Sequence, residues 1–207
     1  MMYYNTISPP LKYIIETISN DKKFSNFFLC SGTSLSLQLG HRISVDADFI
    51  SEKEFDKDEL IATILLIYPN AQNIHQNAFG VFCTINQIKV DFLSWNIPFI
   101  KPTKKIDAIK LISIEDIVAM KLFAILQRGE KKDYMDIAML LKNSSLTELI
   151  SYYKLRHNNS DEALVLKFLV SYSDIENQPE PQMLNSLNWK ESKLIITDAI
   201  KNYTNQF

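Results

Sequence analysis

Apolar residues recur at helical spacing twice in the first third of the chain. Leu11, Ile14, Ile15 and Ile18 follow Ser8-Pro9-Pro10, and Leu60, Ile61, Ile64, Leu65 and Tyr68 run from Asp56 to Pro69. The first stretch has a hydroxyl cap, prolines suited to a first helical turn and one apolar stripe, which predicts a packing helix. The second predicts another helix, closed by its proline. Between them, Phe27-Phe28-Leu29-Cys30 predicts a first core strand. The segment that follows has leucines on too many sides to be amphipathic, so it must be buried. From Asn73 the pattern turns strand-like: Val81 to Ile85, a turn at Asn86-Gln87, then Ile88 to Leu93, together a hairpin. Ile109 to Ile112 predicts one more edge strand. Ser113-Ile114-Glu115-Asp116 then opens a helix of capping-box type that ends at Gly129, and a second helix spans Lys131 to Lys142. Further helices are predicted from Thr147, from Ser160-Asp161-Glu162 and over Trp189 to Tyr203, with Asn177-Gln178-Pro179-Glu180-Pro181 as the break before the last.

With 207 residues and 46% hydrophobic content, the chain can bury one substantial core, or one core and a small helical lobe, and disorder is not expected. No apolar run approaches the ~18 residues of a membrane span, and MMYYNTISPP lacks the build of a signal peptide. Both points predict a cytoplasmic protein with no membrane partner. Cys30 and Cys83 lack metal-type spacing and read as small buried hydrophobes. A net charge of −2 argues against a protein that coats nucleic acid. Lys101, Lys104 and Lys105 read as a solvated face. His157, beside Asn158-Asn159, reads as an exposed loop residue.

The chemistry concentrates in LCSGTSLSLQLGHRISVDADFI, residues 29–50. A turn is predicted at Ser31-Gly32-Thr33. Gly32 allows close backbone approach to a ligand, and Thr33 and Ser34 place hydroxyls at a predicted helix N-terminus, whose N–H groups suit a phosphate. Downstream, Asp46 and Asp48 alternate with Ala47 and Phe49 on a predicted half-buried strand, so both carboxylates point to one side. Like charges held so close are costly unless a cation sits between them, so the pair reads most simply as a site for a hard divalent metal, although a lone D-x-D also fits a solvated strand or loop. Two helical features stay open on pattern alone. Ile117, Lys121, Ala124 and Arg128 share one side of their helix, and Asp133 and Asp136 lie one turn apart on the next; both also fit amphipathic helices with charged outer faces.

Gly32-Thr33-Ser34-Leu35, Leu39-Gly40-His41-Arg42, Ser44 and Asp46-Ala47-Asp48-Phe49 resemble the first signature of the AbiEii/AbiGii-type nucleotidyltransferases. That branch of the polymerase-beta-like superfamily includes toxin components of bacterial toxin–antitoxin and phage-defence systems. The usual pattern opens with two glycines or Gly-Ser, whereas this chain has Ser31-Gly32. Lys121, Arg128, Lys132, Asp133 and Asp136, spaced K-x6-R-x3-K-D-x2-D, resemble the second signature.

The resemblance implies an α+β fold in which a polymerase-beta-like core, a small mixed sheet flanked by helices, precedes a C-terminal helical region. The expected division is 1–112 for the nucleotidyltransferase core and 113–207 for the helical region completing the active-site cleft. The implied reaction moves a nucleoside monophosphate from an NTP to a hydroxyl acceptor and releases pyrophosphate. Mg²⁺ or Mn²⁺ would be held by Asp46, Asp48 and a third carboxylate, Asp91. Gly32, Thr33, Ser34, Arg42, Lys121, Arg128 and Lys132 would bind the nucleotide, with Asp133 and Asp136 in support. Lys121, beside Ile117 and Ala124, is expected to be buried and to meet the triphosphate as its counter-charge. Expected partners are the NTP, an acceptor that is RNA such as a tRNA end, a protein or a small molecule, and a cognate antitoxin. A small-molecule (antibiotic-like) transferase and a non-catalytic binding module are the alternatives.

Overall fold

The computed structural model describes residues 2–158 and 161–205. Two compact units divide the chain: one comprises the residues up to Gly40 with Ser44–Ser113, the other His41–Ile43 with the residues from Ile114 onward.

The first unit is built on a seven-stranded sheet. In chain order the strands are β1 (Phe28–Leu29), β2 (Ala47–Ser51), β3 (Gln72–Gln76), β4 (Gly80–Ile85), β5 (Ile88–Ser94), β6 (Lys104–Ile106) and β7 (Ile109–Leu111). Their spatial order is β3-β4-β5-β2-β1-β7-β6. The sheet is mixed: β2 runs parallel to β5 and β1 to β7, and the remaining neighbours are antiparallel. The expected small mixed sheet with flanking helices is therefore present.

Several local expectations need correction. The predicted edge strand, β7, is interior, because β6 pairs with it and takes the edge. The exposed, polar β3 carries no alternating apolar signal and was missed. Only Phe28 and Leu29 of the first predicted strand make ladder pairs. The β4–β5 turn does form at Asn86-Gln87, with φ of 50° and 66°. Positive φ at both central residues matches the twist of the strands, and here a glutamine accepts it.

Helix α1 (Pro9–Asn20) starts as predicted, with the Ser8 side chain accepting from Leu11 N. Helix α3 (Lys57–Ile67) is capped by Asp56, whose carboxylate accepts from Asp58 N and Glu59 N. Leu11, Ile14, Ile15 and Ile18 of α1 and Leu60 and Ile64 of α3 join Ala47, Phe49, Val90 and Phe92 in one core. The Phe92 ring stacks against Phe24 and Phe49, each at 5.5 Å. Since strand side chains alternate, this face takes Val90 and Phe92 and leaves Lys89 and Asp91 to the opposite one. Helix α2 (Ser31–Leu39) ends at Gly40, whose φ is 68°. A Cβ there would come within 2.6 Å of the Tyr3 ring, so both the left-handed cap and the packing demand glycine.

The second unit is helical: α4 (Ile114–Gln127), α5 (Lys131–Leu141), α6 (Leu146–Arg156), α7 (Glu162–Leu169) and α8 (Trp189–Thr204). Ser160, the predicted start of α7, lies outside the described residues, and Asp161 caps that helix by accepting from Ala163 N and Leu164 N. The strip His41–Ile43 is tied in by backbone bonds from Ile43 N to Gln182 O and from Leu184 N to His41 O, each 2.8 Å. His157 is half-buried rather than exposed, its ring stacked on Phe123 at 4.9 Å. Among the described residues no helix is long and apolar enough to cross a membrane.

Candidate active site

The residues of the first signature divide between the units: those up to Gly40 and from Ser44 onward belong to the first, and His41 and Arg42 to the second. Helix α2 begins at Ser31, so the predicted turn at Ser31-Gly32-Thr33 is the helix's first turn. Its N-cap, Cys30, contributes no side-chain acceptor. Ser31 has a φ of 58°, the left-handed region, at the place where the family pattern begins with glycine. Gly32, Thr33 and Ser34 are all buried within this turn. Thr33 Oγ1 donates to the Asp46 carbonyl and lies 2.8 Å from Ser44 Oγ. Cys30 N donates to the Asp48 carbonyl at 2.8 Å. These bonds fasten the helix start to the Asp46–Asp48 segment on both sides.

Asp46 sits one residue ahead of β2 rather than on it, since the strand begins at Ala47. Asp48 pairs in register with Asp91 on the parallel neighbour β5. Residues opposite one another in a ladder share a face, so the two carboxylates stand side by side. The electrostatics show the crowding. Burial, then Asp46, then Asp91 push the Asp48 carboxyl up to about 6, against the opposing pull of Lys89 and a Ser31 hydroxyl bond. Asp91 is buried, and its Oδ1 has no hydrogen-bond partner. Its Oδ2 lies 2.8 Å from Lys89 Nζ.

A hard divalent ion fits this chemistry. The donors are all carboxylate oxygens, one of them orphaned and buried, and their repulsion is what a cation would relieve. As placed, however, no group of three His, Cys, Asp or Glu among the described residues is drawn together closely enough to hold a metal.

The residues of the second signature lie in the second unit and divide into two sets. Lys121 Nζ is 2.7 Å from both Asp133 Oδ1 and Asp136 Oδ2. Arg42 grips Asp136 with two bonds, Nε to Oδ1 at 2.7 Å and Nη2 to Oδ2 at 2.9 Å. His41 Nε2 is 2.8 Å from Asp136 Oδ1. Asp136 is ionised: its burial is outweighed by Lys121, Arg42 and the bonds they and His41 supply, which hold its carboxyl well below the usual range. An ionised carboxylate only accepts, so His41 Nε2 carries the proton. Burial works to lower the Lys121 pKa, but Asp133 and Asp136 raise it on balance. Lys121 is thus buried as expected, and the anions that meet it here are these two aspartates. Arg128 and Lys132 form the other set. They lie toward solvent, and both pair with Glu130 at 2.9 Å rather than with Asp133 or Asp136.

Two participants went unrecognised in the sequence. Lys89 precedes Asp91 by two residues and so shares its strand face, a signal present but unused. His41 stood within the first signature without an assigned part, and nothing in its neighbours announces a bond to a residue so distant in the chain.

The fold is that of known nucleotidyltransferases. The nucleotidyltransferase toxin MenT4 of Mycobacterium tuberculosis superposes with a TM-score of 0.63, at 11% identity over 95% of this chain and 83% of its own. JHP933 of Helicobacter pylori does so at 0.52, with 19% identity over 94% and 90%. An uncharacterised protein of Aquifex aeolicus is 29% identical over 185 residues, 86% of this chain and 88% of that protein. The family model described as "Nucleotidyl transferase AbiEii toxin, Type IV TA system" matches residues 13–205, and the chain belongs to that nucleotidyltransferase family.

Proposed function

We propose that the protein is a Mg²⁺-dependent enzyme that transfers a nucleoside monophosphate from an NTP to a hydroxyl and releases pyrophosphate, acting as the toxin of a toxin–antitoxin pair. The observation that carries this reading is the register of Asp48 against Asp91, with Asp46 two residues ahead and the first turn of α2 bonded to the same segment. Asp46, Asp48 and Asp91 would hold the ion, which supplies charge stabilisation at the transferring phosphoryl group when bound. The N–H groups at the start of α2, around Gly32, Thr33 and Ser34, suit a phosphate through both hydrogen bonding and the helix dipole. Asp91 would assist in activating the acceptor hydroxyl, a part that its register beside Asp48 supports.

Arg128 is exposed and Lys132 half-buried, and each pairs with the half-buried Glu130, so both can turn to the nucleotide phosphates at little cost. Lys121 and Arg42 hold Asp133 and Asp136, and any part they take in nucleotide binding starts from that arrangement. The acceptor is a hydroxyl of RNA, protein or a small molecule, and family membership supports a cognate antitoxin as partner.

Incubation with each of the four α-³²P-NTPs and Mg²⁺ tests the chemistry. Mg²⁺-dependent transfer of label to an acceptor in cell extract is the expected result, and none with any NTP overturns it. Expression without the antitoxin should arrest growth, and the arrest should vanish in Asp46→Ala. Undisturbed growth with soluble, active protein overturns the toxin role.

A further inference from the structure

Lys89 is the residue of this site for which the reaction as proposed has no part. It is on the face of β5 that carries Asp91, and its ammonium sits 2.8 Å from Asp91 Oδ2. The two side chains differ sharply in exposure, 62% for Lys89 and 7% for Asp91. Asp91 thus has one charged partner within ion-pair distance among the described residues, and its other oxygen is buried and unpaired. A buried carboxylate without a counter-charge is costly, so the lysine stabilises the site. Its flexible, solvent-facing stem nevertheless lets it leave easily. Asp46 and Asp48 also act on the same ammonium.

We propose that Lys89 is a built-in, displaceable counter-ion of the carboxylate set: its ammonium holds Asp91 where a divalent cation would, and it must swing away for the ion to bind. The inference rests on the assignment of Asp46, Asp48 and Asp91 as metal ligands. Asp91 Oδ1 is turned away from solvent, so an entering ion meets Oδ2, the oxygen that Lys89 holds. An ammonium brings one positive charge to three carboxylates and a divalent ion brings two, so the ion wins the exchange when its concentration suffices. Lys89 therefore sets the threshold of metal concentration above which the site loads.

Two measurements on the intact protein test this without reading activity. Mn²⁺ binding followed by electron paramagnetic resonance should be roughly fivefold tighter in Lys89→Gln than in the wild type, the scale of one solvent-accessible ion pair. Lys89→Arg, which keeps the charge and can fork onto Asp91, should bind no more tightly than the wild type. In the wild-type protein, acetylation of Lys89 by an N-hydroxysuccinimide ester, quantified by mass spectrometry, should speed up when Mn²⁺ is added, while that of Lys12 stays constant. Mn²⁺ binding with unchanged Lys89 labelling, or with equal affinity in Lys89→Gln, overturns the inference and leaves the metal site standing. No Mn²⁺ binding by the wild type overturns the metal assignment and this inference with it.

Discussion

Two groups of aspartates in this molecule have opposite electrostatic fates. In the helical unit, Asp133 and Asp136 are buried with Lys121 and Arg42, two cations against two carboxylates, and Asp136 accepts from three side chains. Its carboxyl is held well below the usual range. At the sheet, Asp48 and Asp91, with Asp46 just ahead of β2, share one lysine, and Asp48 is pushed up to about 6. A carboxylate group whose charge the fold neutralises is part of the architecture. One whose repulsion the fold leaves standing is poised for something from outside. The contrast sets a charge-compensated group of acids apart from a crowded one, a difference that composition and spacing did not show.

The comparison breaks first at Lys121. Lys121→Met removes the ammonium shared by Asp133 and Asp136, and loss of one partner from a buried ion-pair network costs about 3–5 kcal/mol. Urea denaturation should show the midpoint falling by a corresponding amount. A midpoint like that of the wild type would mean that the cluster is not load-sharing, and would return Lys121 to direct phosphate binding. Asp48→Ala should do the reverse. Transfer should fall by ~10²-fold or more, while the folded state is retained, as steady-state rates and circular dichroism on the same sample would show.

Stability depends on pH with opposite sign in the two regions. Asp48 has a folded pKa of about 6 against an ordinary 3.8, so its ionised form is disfavoured in the folded protein. Without divalent ions, Asp48→Asn should therefore raise the melting temperature above pH 6, and the gain should shrink as the pH falls from 6 toward 4, because the folded state is protonated first and the unfolded state follows. Asp136, depressed in the folded protein, contributes stability that is present above the ordinary carboxylate range and lost only as the pH falls through and below it. A melting-temperature difference for Asp48→Asn that does not vary between pH 4 and 7 would contradict the crowding on the sheet.

The smallest effects belong to Arg128 and Lys132. Arg128→Ala and Lys132→Ala should each change stability by no more than ~1 kcal/mol, since surface ion pairs contribute little. Each should still weaken binding of a non-hydrolysable NTP in calorimetric titration. Unchanged affinity in both would reduce them to a solvated helix end.

Wherever an element buries a stripe of its own, its hydrophobic pattern was enough to read it. Leu11 to Ile18, Leu60 to Ile64, the Val81–Leu93 hairpin and the helices after Ser113 stand where periodicity put them. β3 and β6 were silent, because edge strands bury little and their ladder bonds come from backbone. Asp46 and Asp48 stood out as candidates through their context, the alternating apolar neighbours and the Gly32-Thr33-Ser34 turn upstream, since a spacing of two alone also fits a solvated strand or loop.

Residue types and neighbours within a few positions were enough for the family, for the elements that bury a stripe of their own, and for naming Asp46, Asp48 and Asp91 as candidate acids. Only the tertiary structure decided which acids are satisfied. Asp136 finds Arg42 and His41 more than ninety residues away, and Asp48 meets Asp91 through strand pairing across a gap that holds a helix and two other strands. Charge compensation acts over a few ångströms of space whatever the separation along the chain, and that distance is set only when the sheet closes and the helices pack.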